Sequence, residues 1–264
     1  KRQETYYRFL IQKVLPFYDK VLYLDSDIII NGDIAKLYNI DLQGKLLGAV
    51  RDIDFLGNLN VKHGKRMNYA KTVLKMQNPY DYFQAGVLVL NTKAMREHYT
   101  IEQWLAYASN DEFIYNDQDV LNAHCEGNVL YLPWEWNVVH DCGGRVGNLF
   151  VQAPNDIYDA YMKSRNNPKI IHYAGFQKPW TDPDCDFASI YWKYARETPF
   201  YERLLKRVVK ANEPKIPEEA LRPKHERAVG EDNPIRKIVD PLMPIGSRRR
   251  DVVKAIGRVA RGRH

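Results

Sequence analysis

Two carboxylates at Asp25-Ser26-Asp27 are the sharpest chemical feature of the sequence. They stand between the apolar runs VLYL and III, and the turn Asn31-Gly32-Asp33 follows. Acids at i and i+2 of an extended segment point to the same side. Burying them without partners would be costly. Hard oxygen ligands suit a divalent cation such as Mn2+ or Mg2+. Carboxylates and phosphate oxygens sharing one ion would hold a nucleotide diphosphate. Taken alone, Asp-x-Asp fits a solvated strand-end turn equally well.

A second feature is the run from His172 to Trp180, HYAGFQKPW. A neutral imidazole at His172 can ligate a metal. Gly175 frees the backbone and Lys178 supplies a cation, a combination that can hold phosphate. By itself, His172 fits a hydrogen-bonded core histidine better than a ligand, and Pro179-Trp180 fits packing.

The elements that must position these residues are legible in outline. QETYYRFLIQKVLP (3–16) reads as a helix, with Phe9, Leu10, Val14 and Phe17 near one face and Pro16 at its end. Residues 21–30 read as a buried strand that breaks at the acids. Leu46–Val50 is a further strand, and 53–79 a helix-containing connection. YFQAGVLVLN (82–91) reads as a buried strand, with Thr92 expected to cap the helix that follows. Helices are expected over 101–109, 116–124, 155–163 and 191–211, and strands over 129–132 and 169–174. Alternating strands and helices argue for α/β layering. Trp134, Trp136 and Tyr158 have rings that could stack on a ligand, but core packing accounts for them better.

Composition narrows the class. The chain has 264 residues, 45% hydrophobic and 27% charged, which is ordinary for a folded α/β domain and excludes a fibre. No apolar run approaches the ~18–20 residues of a membrane span. Three cysteines, none in a Cys-x-x-Cys pair, argue against a disulfide framework or zinc and for a reducing compartment. The net charge of +6 resides in 245–264, with seven Arg/Lys and one acid, so the body is neutral and no nucleic-acid partner is expected. Six of the fourteen prolines fall in 212–247, which reads as a linker. In 248–264, Val252, Val253, Ile256 and Val259 form an apolar stripe flanked by Arg and Lys, and Ser247 can cap that helix. A basic amphipathic helix suits an anionic membrane surface; a solvated tail is the plainer reading.

The order YR, VLYLDSDIII, GAVRD, YFQAGVLVLN, NDQDVLN, IIHYAGFQKPW spans residues 5–180 and resembles glycosyltransferase family 8. The resemblance implies a GT-A type fold, retaining transfer of a hexose from a nucleotide sugar (usually UDP-linked), and dependence on Mn2+ or Mg2+. It implies Asp25, Asp27 and His172 as metal ligands. Arg8, Ser26, Gln84, Gly175 and Lys178 would bind the donor. Gln118, Asp117 and Asp52 would lie at the reaction centre. Gln84 stands where some members have Asn. Gln118 is a poor nucleophile, which favours front-face attack by the acceptor, with Asp117 as the fallback nucleophile. Singly, Asp117 could N-cap its helix and Arg8 could be a surface charge.

The resemblance also implies a uridine-binding strand upstream of Arg8, where this sequence opens. The expected fold class is therefore α/β: a GT-A-like (Rossmann-like) mixed sheet flanked by helices, N-terminally truncated, with a basic helical C-terminal tail. The expected domains are 1–211 (catalytic), 212–247 (linker) and 248–264 (tail). The expected partners are a UDP-hexose, a cell-surface polysaccharide or lipopolysaccharide acceptor, glycan or lipid-linked, and an anionic membrane surface. The expected location is cytoplasmic, peripheral at the inner membrane face. The alternatives are an inactive or hydrolysis-only fragment that binds metal-nucleotide, or a membrane-surface scaffold.

Overall fold

A computed structural model of the chain describes residues 3–213, together with 241–242, 247 and 250–251. Two units are distinguished, Lys1–Asn212 and Glu213–His264. Most of the second lies outside the described residues, including the apolar stripe of 252–259. At its described edge the Ser247 side chain accepts from the Arg250 N–H at 3.4 Å.

Among the described residues, seven strands form two sheets: β1 Val21–Leu24, β2 Ile28–Ile30, β3 Leu47–Arg51, β4 Phe83–Leu90, β5 Val129–Tyr131, β6 Val138–Val139 and β7 Ile170–His172. The larger sheet has the order β1-β4-β3-β5 and the smaller β2-β7-β6. β4 runs antiparallel to both neighbours, while β3 and β5 are parallel, so the sheet is mixed. The apolar run of β4 follows from burial on both faces. Leu88 and Leu90 join the cluster of Phe9, Trp104 and Phe150 on one side, and Val87 and Val89 join Leu37, Val50 and Trp136 on the other. This is the two-residue alternation of a strand with both faces covered.

The break at the acids changes sheets. β1 pairs with β4, whereas β2 pairs with β7. Asp25-Ser26-Asp27 is therefore the corner that joins the two sheets. Because β1, β3 and β5 share one direction, Asp25 and Asp52 emerge at the same sheet edge, where β4 begins. In open α/β sheets that edge is where ligands bind.

Four local expectations are corrected. The opening helix is a 3-10 segment, Gln3–Leu10, that runs into a single α-turn, Ile11–Val14. Phe17 lies beyond it and is 92% exposed, so it does not share the buried face of Phe9. The helix Thr92–His98 is capped by Asn91, whose side chain accepts from the Ala94 N–H, while Thr92 donates its hydroxyl to the Tyr18 carbonyl. The span 191–211 is two helices, Ala188–Ala195 and Tyr201–Asn212. Pro199 lies between them; it has no N–H to donate and disfavours helix at the residue before it.

Candidate active site

His172, at the end of β7, brings the two acids together. Its Nε2 lies 3.2 Å from Asp27 Oδ1 and 3.8 Å from Asp25 Oδ2. Ligand atoms of Asp25, Asp27 and His172 all lie within 4.8 Å of one another, so the three form a group that could hold a metal ion. His172 is 1% exposed and the two carboxylates are partly exposed, so the group opens outward. Two carboxylates and one imidazole are a donor set that fits a hard divalent cation with coordination positions to spare. Gly86 makes the arrangement sterically possible. A Cβ there would stand 2.3 Å from His172 Cε1 and 2.8 Å from Asp25 Oδ2.

Cations surround these acids. Lys178 Nζ donates to Asp27 Oδ2 at 2.5 Å and also to the Tyr173 carbonyl. Burial alone would raise the Asp27 carboxyl, but Lys178 and, when its ring is protonated, His172 hold it well below the usual carboxylate range through hydrogen bonds and charge. Arg8 is buried, which corrects the surface-charge reading. Its Nε lies 2.9 Å from Asp117 Oδ2 and its Nη2 3.3 Å from Asp25 Oδ1. The same Nη2 donates to Tyr23 Oη at 2.9 Å, and Tyr23 donates to Asp25 Oδ1 at 2.9 Å.

The helix Asp117–Cys125 delivers the next group. Its N-cap is Asn116, held at φ 50°, so Asp117 is the first helical residue and not the cap. Asp117 instead faces Arg8; burial raises its carboxyl, with Arg8 opposing. Gln118 Nε2 donates to Asp52 Oδ2 at 2.9 Å and to Tyr82 Oη at 3.2 Å. Gln118 Oε1 accepts from the Ala85 N–H at 2.9 Å. The Gln118 amide is thus held at both ends. Asp52 N-caps the helix Ile53–Leu59 through the Asp54 and Phe55 N–H groups. Burial, reinforced by Asp54, raises the Asp52 carboxyl above its ordinary range.

A cavity of about 380 Å³ is lined by Arg8, Tyr23, Asp25, Gln84, Asp117 and Gln118, among others. Ser26 is exposed between the two acids. Gly175, at φ +110°, lies on the loop from His172 to Lys178, and a Cβ there would meet Cys142 Sγ at 2.7 Å. Trp136 is buried in the core, as packing requires.

Several residues that shape the site carry weak sequence signals. Asp119 is fully buried and accepts from Tyr69, Tyr82 and the Tyr115 N–H, each at 2.6 Å. Asn122 pairs through both ends of its amide with the Phe83 backbone, tying the helix to the start of β4. Asp119 and Asn122, three apart on one helix beside buried Val120 and Leu121, could have been found as polar positions on a core-facing stripe. Asn137 donates from Nδ2 to Gln84 Oε1 at 2.8 Å and presents its Oδ1 to His172 Nδ1 at 3.1 Å, and nothing in WEWNVV marks it.

These features agree with what the chain resembles. The family profile of glycosyl transferase family 8 matches residues 2–184. The chain belongs to that family. It is 30% identical over 197 residues to glycosyltransferase GlyF of Streptococcus pneumoniae, covering 72% of this chain and 41% of that protein. It is 27% identical to the lipopolysaccharide 1,2-glucosyltransferase of Escherichia coli K12, covering 61% of this chain and 44% of that one. The matched stretch thus spans less than half of either relative. Among solved structures, the bifunctional glycosyltransferase WbbM superposes with a TM-score of 0.72 at 32% identity, over 77% of this chain and 37% of that one. The galactosyltransferase LgtC, solved with donor and acceptor sugar analogues, superposes at 0.53 and 26% identity, over 81% and 69%. The fold is accordingly the GT-A-like α/β arrangement.

Proposed function

We propose that this chain is the catalytic body of a metal-dependent retaining glycosyltransferase that moves a hexose from a UDP-sugar to a cell-surface polysaccharide or lipopolysaccharide acceptor. The observation that carries the reading is the meeting of Asp25, Asp27, His172 and Lys178 with the cluster of Arg8, Asp117, Gln118 and Asp52 beside one cavity. Asp25, Asp27 and His172 would hold Mn2+ or Mg2+. Such an ion supplies charge stabilisation for a diphosphate leaving group. Lys178, released from Asp27, adds a positive charge on the diphosphate, and Gly175 lets the loop backbone approach it. Gln84 and Ser26 would meet the donor.

In the proposed step the bond from the anomeric carbon to the diphosphate oxygen breaks, and its electron pair leaves with UDP. The acceptor hydroxyl bonds to the same face of that carbon and passes its proton to the departing phosphate oxygen. Two side-chain arrangements support front-face attack over a covalent intermediate. The Gln118 amide is held at both ends, and the Asp117 carboxylate is engaged by Arg8. The acceptor class rests on the lipopolysaccharide glucosyltransferase of Escherichia coli, a relative of this chain.

The basic segment 248–264 would hold the protein at an anionic membrane surface, on the cytoplasmic side of the inner membrane. No helix among the described residues is long and apolar enough to cross a membrane.

The test is the thermal midpoint with UDP, with and without Mn2+, in the wild type and Asp27→Ala. Ligand at 100 times its dissociation constant stabilises by about 2.7 kcal/mol, which at about 2–4 °C per kcal/mol is a shift of roughly 5–11 °C for a domain of this size. A Mn2+-dependent shift that Asp27→Ala abolishes supports the reading. A cooperative melt that UDP and Mn2+ leave in place overturns it. Product formation from a panel of UDP-hexoses then separates transfer from hydrolysis.

A further inference from the structure

A chain of hydrogen bonds starting from one backbone N–H determines which nitrogen of His172 carries the proton. The Gly86 N–H can only donate, and it donates to the Gln84 side chain at 2.5 Å, so the atom facing it is Oε1. That oxygen also accepts from Asn137 Nδ2 at 2.8 Å, which fixes the orientation of the Asn137 amide. Its Oδ1 then faces His172 Nδ1 at 3.1 Å. An amide oxygen only accepts, so Nδ1 bears the hydrogen, and in a neutral imidazole Nε2 keeps its lone pair. Nε2 is the atom that faces Asp27 and Asp25. Asn137 and His172 are 2% and 1% exposed, so the pair is shut away from solvent.

We infer that Asn137 is a positioning residue that holds His172 in its Nδ1–H tautomer and aims the Nε2 lone pair between Asp25 and Asp27. The same amide engages the Gln84 oxygen, leaving the Gln84 NH2 as the end that faces a donor in the cavity it lines. Partners of this kind behind metal-bound histidines raise ligand basicity, and their loss costs about 10–100-fold in metal affinity. The inference rests on the reading of Asp25, Asp27 and His172 as a metal centre.

Two measurements on the full chain test it. The first is the ¹⁵N spectrum of the metal-free wild type at alkaline pH, where an imidazole is neutral. A protonated Nδ1 and bare Nε2 on His172 are expected; a proton on Nε2 overturns the inference. The second is calorimetric Mn2+ affinity for the wild type, Asn137→Ala and Asn137→Asp, with the thermal midpoint of each. Asn137→Ala should bind about 10–100-fold more weakly. Asn137→Asp, whose carboxylate still accepts from Nδ1–H but no longer donates to Gln84 Oε1, should bind more tightly than Asn137→Ala. Equal binding by wild type and Asn137→Ala overturns the inference, as does equal weakening in both variants that follows their midpoints. A wild type that takes no Mn2+ sinks the metal reading itself, while the ¹⁵N spectrum still decides the tautomer.

Discussion

Lys178 Nζ sits 2.5 Å from Asp27 Oδ2, although 151 residues separate the two in sequence. In this arrangement the lysine occupies one of the oxygens that an ion would need. In the proposed mechanism, ion binding and release of Lys178 toward a diphosphate would thereby be linked.

Lys178→Met should therefore act in opposite directions on the two ligands. Mn2+ alone should bind the variant as tightly as the wild type or several-fold more tightly, because a competing cation is gone. UDP in the presence of Mn2+ should bind about 10–100-fold more weakly, the loss of one charge-assisted contact. Calorimetric titration of each ligand checks both. Parallel weakening of the two would contradict the linkage.

Arg8 joins two carboxylates that come from distant parts of the chain, Asp25 after β1 and Asp117 at the start of its helix. The Arg8 and Asp117 side chains are 6% and 8% exposed. Removing one partner of a buried pair leaves the other uncompensated, at about 3–5 kcal/mol. Arg8→Ala should be destabilised by that amount in urea denaturation. The double variant with Asp117→Asn should recover part of the loss, giving a coupling above about 1 kcal/mol. Strict additivity would show that the pair does not interact.

Much of this cluster was legible in the sequence because its residues follow apolar strands. VLYL ends at Asp25, GAVR ends at Asp52, and II ends at His172, so chemistry-bearing residues marked the strand ends. The change of sheet at Ser26 was not legible: the acids mark a break in the strand, but partner choice depends on tertiary pairing. Asn91 was passed over in favour of Thr92 because both are good caps and only the backbone geometry separates them. Asn137 carries no pattern of its own. Its importance comes from the buried donors and acceptors that other segments bring to it, and a single sequence does not show those.

Asp52 should leave a trace in the pH dependence of stability. Its folded pKa lies above the ordinary value, through burial and the neighbouring Asp54. Between those two values the native state holds a proton that the unfolded chain has lost. Stability should therefore fall as pH rises through that window, with a slope of at most about 1.4 kcal/mol per unit from this group. Asp52→Asn keeps a cap oxygen for the Asp54 and Phe55 N–H groups and removes the titration. Urea melts from pH 4 upward should show a flatter curve for the variant. An identical pH profile would mean that Asp52 titrates normally in the folded protein.

Gly86 offers the strictest steric test of the proposed centre. The methyl group of Gly86→Ala would need the space now held by His172 Cε1 at 2.3 Å and Asp25 Oδ2 at 2.8 Å. The residue lies on β4, the central strand, so the backbone has little room to give. Both ligands would have to turn away. Overpacking of this kind costs about 1–3 kcal/mol of stability, and the displaced imidazole would no longer point Nε2 between the carboxylates. The variant should still fold, with a midpoint lowered by a few degrees, and should lose most of its Mn2+ affinity in calorimetry. Since Gly86 offers no side chain to an ion, that loss would come from ligand geometry alone. Retention of wild-type Mn2+ affinity in a folded Gly86→Ala protein would mean that the ion, if bound, sits elsewhere.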